Sequence, residues 1–365
     1  MRTVLISIFL LSFTSILAPV GLVNAEDSVK IGAMLCLTGP CAETGNSSLR
    51  GAEIAVAELN AAGGILKRPL SLVVQDTKEG EQSSSAVTAF KNLTLDPAIK
   101  LFLGPTWSNG GLPLVPLLNK RPDLTAISPS LGVADFNEAS SNLFNLWPHD
   151  DVSSRGLAKV ATKLGFKTAA LVSAQDPWAA AQAASFKEQF EKAGGKITLI
   201  VEPLPSSTDL RAETARIARS NPDMVLLTAW FHMNVAAESL RRLGYEGRFM
   251  AVQVDEARLA AARGSLEGTI VARFPSSSKD FLEKFRKKYG EDPATSADTA
   301  YDSVMLIAKA ARACNCLHAD KLQAEMLRTT FDGASGKIEL DEKRGVKREP
   351  LFYYVSKKSF VILNE

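Results

Sequence analysis

Leu101-Phe-Leu-Gly-Pro-Thr-Trp-Ser-Asn-Gly-Gly111 decides how this chain reads. The apolar run Ile99–Leu103 predicts a buried strand, and Gly104-Pro105 stops it. A helical pattern follows over about Leu112–Leu118. Between strand and helix stand Thr106 and Ser108, small hydroxyls where the next helix must begin. The first N–H groups of a helix have no partner inside it, and its dipole favours an anion at that end. A loop from a parallel strand into a helix is therefore a natural seat for a carboxylate. Taken alone, Ser108 reads as no more than a helix cap. The ligand reading gains weight because other strand ends along the chain look the same.

Outward from this stretch, strand and helix alternate. Towards the N-terminus lie a strand at Val29–Leu35, a helix from Ser47/Ser48 to Gly63-Gly64, a strand at Leu70–Val74 and a helix at Gln82–Leu93. Beyond the Leu112 helix comes a strand at Leu124–Ile127, ending at Ser128-Pro-Ser130. This rhythm with short loops predicts a parallel sheet with helices on both faces. Asn145–Asp151 breaks it and reads as a crossover. The alternation restarts with helix Ser153–Leu164, strand Thr168–Val172, helix Ala179–Ala193 and strand Ile197–Val201. Helix Leu210–Ser220, strand Met224–Leu227, helix Val235–Leu243 and strand Phe249–Val252 complete a second α/β lobe. The chain changes again near Phe274-Pro275, giving helices Ser278–Tyr289 and Ala297–Ala313. Residues 331–341 predict a loop into a strand, and Leu351–Val355 with Ser359–Leu363 a terminal hairpin.

The first residues are not part of this pattern. Met1-Arg2, an apolar Val4–Leu17 and the small-residue Val23-Asn-Ala25 predict a secretory signal peptide cleaved after Ala25. Of 365 residues, 25 are then lost and 340 remain, enough for two domains with full cores. Export permits disulfides, and four cysteines allow three pairings. Cys36–Cys41 is favoured because Thr38-Gly-Pro40 can turn the chain back on itself. Cys314 and Cys316 would close a tighter, more reactive ring, and Cys-x-Cys is not a usual zinc spacing.

Charge is nearly balanced, 42 basic against 40 acidic residues, with no basic stripe interleaved with aromatics. Nucleic acid is not an expected partner. No phosphate loop, nucleophile elbow or HExxH motif occurs, and no cofactor, metal or enzyme activity is expected. The three histidines lack a recognisable nucleophile partner, and Asp150-Asp151 reads as an ordinary acidic pair.

The four tryptophans are the more telling residues. Trp107, Trp178 and Trp230 each lie just beyond a predicted strand, where clefts of doubly wound sheets open. They read as cleft walls rather than core, whereas hinge packing explains Trp147 equally well. Asp176 can cap the helix beginning at Pro177. His232 reads as a satisfied surface histidine, and Asp302 as a structural hydrogen-bonding acid.

Leu49-Arg-Gly-Ala-Glu-Ile-Ala-Val-Ala-Glu-Leu-Asn-Ala-Ala-Gly-Gly-Ile65, after Ile31-Gly-Ala-Met and Leu37-Thr-Gly-Pro40, resembles the start of the type I periplasmic binding proteins of the leucine/isoleucine/valine-binding group. Gly104-Pro-Thr-Trp-Ser108, Ile127-Ser-Pro-Ser130, Ala300-Tyr-Asp302 and Gly333-Ala-Ser-Gly-Lys-Ile-Glu-Leu-Asp341 agree in order. The resemblance implies two doubly wound α/β lobes joined by a three-stranded hinge: residues 26–147 plus 275–349, and 148–274 plus 350–365. It implies a small carboxylated solute in the cleft, and a monomeric periplasmic receptor serving the permease and ATPase of an ABC importer. A branched-chain or other apolar amino acid is the first ligand class, an aromatic carboxylate the alternative, and ligand sensing without transport a second role.

Carried over by position, Ser108 and backbone near Ser130 would hold the carboxylate. Gly132 stands where the family has a hydroxyl, Thr44 near a family tyrosine, and Trp178 and Trp230 at family aromatic positions. The family acid for an α-ammonium falls near Gln253, with Asp255 two residues on. Ligand contacts are therefore expected from Thr44, Trp107, Ser108, Ser130, Gly132, Trp178, Trp230 and Asp255.

Overall fold

A computed structural model describes residues 28–79 and 83–363. The expected leader and its expected cleavage site lie outside the described residues. The chain opens with β1 (Val29–Leu35), α1 (Ala42–Ala61), β2 (Leu70–Asp76), α2 (Ser83–Leu93), β3 (Leu101–Leu103), α3 (Ser108–Gly111), α4 (Val115–Leu118), β4 (Thr125–Ser128) and β5 (Leu143–Asn145). Its strands form one parallel sheet in the order β2-β1-β3-β4-β5.

Alternation along each strand divides the core. Ile31, Ala33 and Leu35 face one layer with Leu101 and Leu103, while Met34 and Phe102 face the other. Alternation from α5 (Asp150–Lys163) onward builds the second lobe: β6 (Thr168–Val172), α6 (Pro177–Lys192), β7 (Lys196–Val201), α7 (Arg211–Ser220), β8 (Met224–Leu227), α8 (Met233–Arg242), β9 (Arg248–Val252), α9 (Glu256–Ala261) and β10 (Ile270–Arg273). These strands lie in the order β7-β6-β8-β9-β10, the same winding as the first sheet.

The chain then returns to the first lobe with α10 (Lys279–Tyr289), α11 (Ala297–Cys314), α12 (Ala319–Arg328) and a small hairpin of β11 (Phe331–Gly333) and β12 (Gly336–Ile338). α11 lies along α1, so closely that Gly51 has no room for a Cβ against the backbone of Ala297. β13 (Leu351–Ser356) and β14 (Ser359–Ile362) finally cross back, and β13 pairs antiparallel with β10 to extend the second sheet to seven strands. The crossovers run side by side. Trp147 in the first meets Phe274 in the second edge-on at 6.1 Å, and Asn145 pairs with Gly345 ahead of the third.

Several boundaries differ from the sequence reading. The first helix begins at Ala42, so Ser47 and Ser48 lie inside it and bond Ala294 O and Ser296 instead of capping. The cause is the Cys36–Cys41 disulfide, which turns the chain directly into the helix. The Leu112 helix is only a 3₁₀ turn over Leu112–Leu114 and the short α4, because Pro113 and Pro116 cannot donate to a longer ladder. Cys314 and Cys316 are joined as well. Residues 331–341 contain a hairpin, and α9, α12, β5 and β10 are elements beyond those read from the sequence. Among the described residues no helix is long and apolar enough to cross a membrane.

Asp302 proves structural. Buried in α11, it accepts hydrogen bonds from Ala334 N (2.7 Å), Ser335 N (2.8 Å) and Ser335 Oγ (2.6 Å), fastening the β11–β12 turn. Asp302→Ala strands these donors, and an unfolding free energy lower by roughly 3 kcal/mol is expected. Urea denaturation measures it; an unchanged midpoint would count against this role for the carboxylate.

Candidate functional site

In each sheet the strand order reverses beside the first strand, between β1 and β3 and again between β6 and β8. Loops at such a switch point diverge and leave a crevice at the carboxyl ends of the strands. The loops at these two points carry Cys36–Cys41 and Gly104–Ser108 from the first lobe, and Ser173–Trp178 and Thr228–His232 from the second. Three of the four tryptophans therefore come from switch-point loops.

The first-lobe wall is built on a buried acid. Glu79 accepts hydrogen bonds from Thr77 Oγ1 (2.7 Å), Thr106 N (3.0 Å) and Trp107 N. Burial pushes its carboxyl up to about 7, against the pull of these donors. Two amides of the strand-end loop are thus engaged from below. Ser108 follows as the first residue of α3, with Trp107, not Ser108, at the cap position. The N–H groups of Ser108–Gly110 find no acceptor within so short a turn. Ser130 Oγ donates to Thr106 O at 2.6 Å, and Ser128 Oγ to Pro105 O at 2.8 Å, tying the β3 and β4 loops together.

The second-lobe wall is aromatic. Trp178 and Trp230 meet edge to face, their rings 6.0 Å apart at 87°. Phe231, 44% exposed, reaches across to Trp107, with ring centroids 5.5 Å apart. The Arg258 guanidinium lies 3.9 Å over the Trp230 ring, and its Nη1 donates to Trp230 O.

Asp150 occupies the junction. It heads α5, its N–H donates to Gly132 O at 3.0 Å, and its side chain is buried. The carboxylate accepts from Trp178 Nε1 (2.7 Å), Gln253 Nε2 (3.1 Å) and Trp147 Nε1 (3.3 Å). Burial pushes this carboxyl, too, up to about 7. A Cβ at Gly132 would overlap Asp150 Oδ2 and lie 2.7 Å from Trp178 Nε1, so the lobes meet here only because residue 132 is glycine.

The expected site residues fall into distinct groups. Gly132 and Trp178 come together at Asp150, and Trp230 packs on Trp178; Trp107 meets Phe231, the neighbour of Trp230, and Ser108 follows Trp107; Ser130 stands behind Thr106. Asp255 caps α9, its Oδ1 accepting from Arg258 N. Thr44 is half-buried on α1, and none of the described ring or side-chain contacts joins it to the others. Trp147 is engaged at the hinge. Asp176 caps α6 through Ala179 N at 2.8 Å. His232 is a buried residue rather than a surface one, with Nε2 at 2.9 Å from Ser207 O. Glu79, Asp150, Phe231 and Arg258 were missed: a lone acid or arginine carries no periodic signal, and only the tertiary fold gathers them.

The chain matches a family model described as "Periplasmic binding protein" over residues 28–359. The leucine-, isoleucine-, valine-, threonine- and alanine-binding protein of Pseudomonas aeruginosa is 22% identical over 333 residues, 88% of each chain. The leucine-binding protein LivK of Thermotoga maritima superposes with a TM-score of 0.83 at 20% identity, covering 92% of this chain and 98% of that one. An ABC transporter solute-binding protein of R. palustris, in complex with benzoate, gives 0.80 at 18% identity, with 92% and 95% covered. At these identities the solved structures establish the fold.

Glu79 and Asp150 have folded values above their unfolded ones. Each contributes stability that is complete below about pH 4 and lost as pH rises through about 7. Glu79→Gln cannot ionise, so its stability relative to wild type is expected to improve between about pH 5 and about pH 7.5. Denaturant titrations at both pH values check this; a difference independent of pH would contradict it.

Proposed function

Because the chain belongs to the periplasmic binding protein family, a family of solute receptors rather than enzymes, we propose that it captures a small carboxylated solute between its lobes and hands it to the permease and ATPase of an ABC importer. Family membership places the protein in the periplasm. Export by a leader cleaved after Ala25 and action as a monomer belong to the proposal.

One observation carries the reading: the switch points of the two sheets face each other, with the hydroxyl and N–H groups of Ser108 and α3 on one side and Trp178 and Trp230 on the other. The lobes, residues 26–147 plus 275–349 and 148–274 plus 350–365, move about the adjacent crossovers as a hinge. The Trp147–Phe274 contact supports that hinge. Ser108 and the backbone near Ser130 and Gly132 receive the carboxylate, while Trp107, Trp178 and Trp230 cover the apolar part. Thr44 and Asp255 stand at the margin, where Asp255 acts through α9.

Two solute classes share this carboxylate. An apolar or branched-chain amino acid is supported by the relatives, whose names specify leucine and its neighbours. An aromatic carboxylate is favoured by the perpendicular indoles and by Gln253 in place of an acid.

Titration calorimetry with leucine and benzoate tests the proposal, which fails if neither binds. Ser108→Ala is expected to weaken carboxylate binding roughly tenfold, the worth of one hydrogen bond to a charged group. Full affinity in that variant would remove Ser108 from the site. Gly132→Ala is expected to hold the lobes apart and weaken binding of any solute. An unchanged affinity together with an unchanged small-angle scattering profile would refute that.

A further inference from the structure

Arg258 is the charged side chain of the second-lobe wall that the proposed carboxylate contacts leave unused. It projects from α9, which Asp255 starts by accepting the Arg258 N–H. Its guanidinium lies flat over Trp230, 3.9 Å from the ring centre, and Nη1 is fixed on Trp230 O. Asn234 Nδ2 donates to its carbonyl at 3.1 Å, holding the backbone as well. The group is placed rather than free to wander. Among the described residues no carboxylate lies within ion-pair distance of it, and its buried Nε finds no acceptor. The acids that bear on it are Asp255, whose Oδ1 is taken up by the cap, and Glu43 at the start of α1, an exposed side chain facing it from the first lobe. Burial pulls its pKa below the usual arginine value, yet a guanidinium stays charged at any physiological pH.

A half-buried cation without a paired acid is costly unless something negative meets it. A planar fork with donors to spare matches a carboxylate with two parallel hydrogen bonds. The opposite demand, a free acid to hold an ammonium, is not met by Asp150. Both oxygens of Asp150 are occupied by N–H groups of Trp147, Trp178 and Gln253. Gln253 itself, at a left-handed backbone position (φ 58°), offers an amide whose Nε2 is spent on that acid. The wall therefore presents one positive charge outside any ion pair, with the capping Asp255 and the first-lobe Glu43 as the acids nearest to it, and two indoles set at 87°. Flat aromatic faces of this kind favour a ring over a branched aliphatic chain.

We propose that Arg258 is the specificity-determining residue of the cleft, selecting a planar or aromatic carboxylate that carries no ammonium group. The proposal rests on the reading of the cleft as a carboxylate site and narrows it. The solute meets Arg258 with an anionic oxygen while its ring lies against Trp178 and Trp230. A zwitterionic amino acid would bring its ammonium beside the like charge of Arg258, with an amide and not an acid at position 253.

Calorimetry on the mature chain with benzoate and L-leucine, for wild type, Arg258→Gln and Arg258→Lys, tests it. Wild type is expected to bind benzoate at least about tenfold tighter than leucine. Arg258→Gln is expected to weaken benzoate at least about tenfold and to narrow the gap between the two probes. Arg258→Lys keeps the charge but not the fork, and should recover only part of the loss. Circular dichroism melting of each variant separates lost recognition from lost folding, and the lysine variant serves if the glutamine one unfolds. Leucine binding tighter than benzoate in wild type overturns the assignment of Arg258 and leaves the carboxylate cleft standing. Benzoate affinity unchanged in both variants does the same. Binding of neither probe overturns both.

Discussion

A buried carboxylate needs donors on every side, and this molecule arranges its junction around that need at Asp150. The three groups that answer it come from separate places: Trp147 in the first crossover, Trp178 at the start of α6, and Gln253 beyond β9. The main chain of the same residue reaches back to Gly132 of the first lobe. Moving any one of these segments leaves part of a buried acid unsolvated, which is among the more expensive errors a protein can make. The indole of Trp178 is thereby fixed in direction, and Trp230 packs edge-on against it. The wall of the cleft is in this sense an outgrowth of one satisfied acid.

Glu79 performs a parallel service in the other lobe. By drawing the amides of Thr106 and Trp107 onto itself, it sets the path of the chain into α3. Each lobe thus stations a switch-point loop on a buried carboxyl whose proton affinity is raised by burial. The repeated strand order accounts for the rest. Two sheets wound alike, set with their switch points opposed, bring together residues more than a hundred positions apart.

How much of this was legible in the sequence depended on whether the signal was local. The strands Val29–Leu35, Thr168–Val172 and Met224–Leu227 announce themselves as apolar runs, and the structure has those bounds. Cys36 and Cys41 flank a turn, so their pairing could be read from spacing. Tryptophans placed just after strands pointed to the cleft ends. By contrast β5 is three residues long and α9 six, too short for periodicity to register, and Arg258 rides on the latter. Asp150 looked like half of an ordinary acidic pair, because nothing local distinguishes a buried acid from a solvated one. Ser47 and Ser48 looked like caps until the disulfide moved the helix start forward.

The path of the chain through the two sheets also bears on how the protein can be made. The first lobe is sealed by α11 against α1, and the second by β13 against β10. Both closing elements come from the final fifth of the sequence. Each core therefore closes only after α11 or β13 has been made, so the order of elements delays compaction of both lobes.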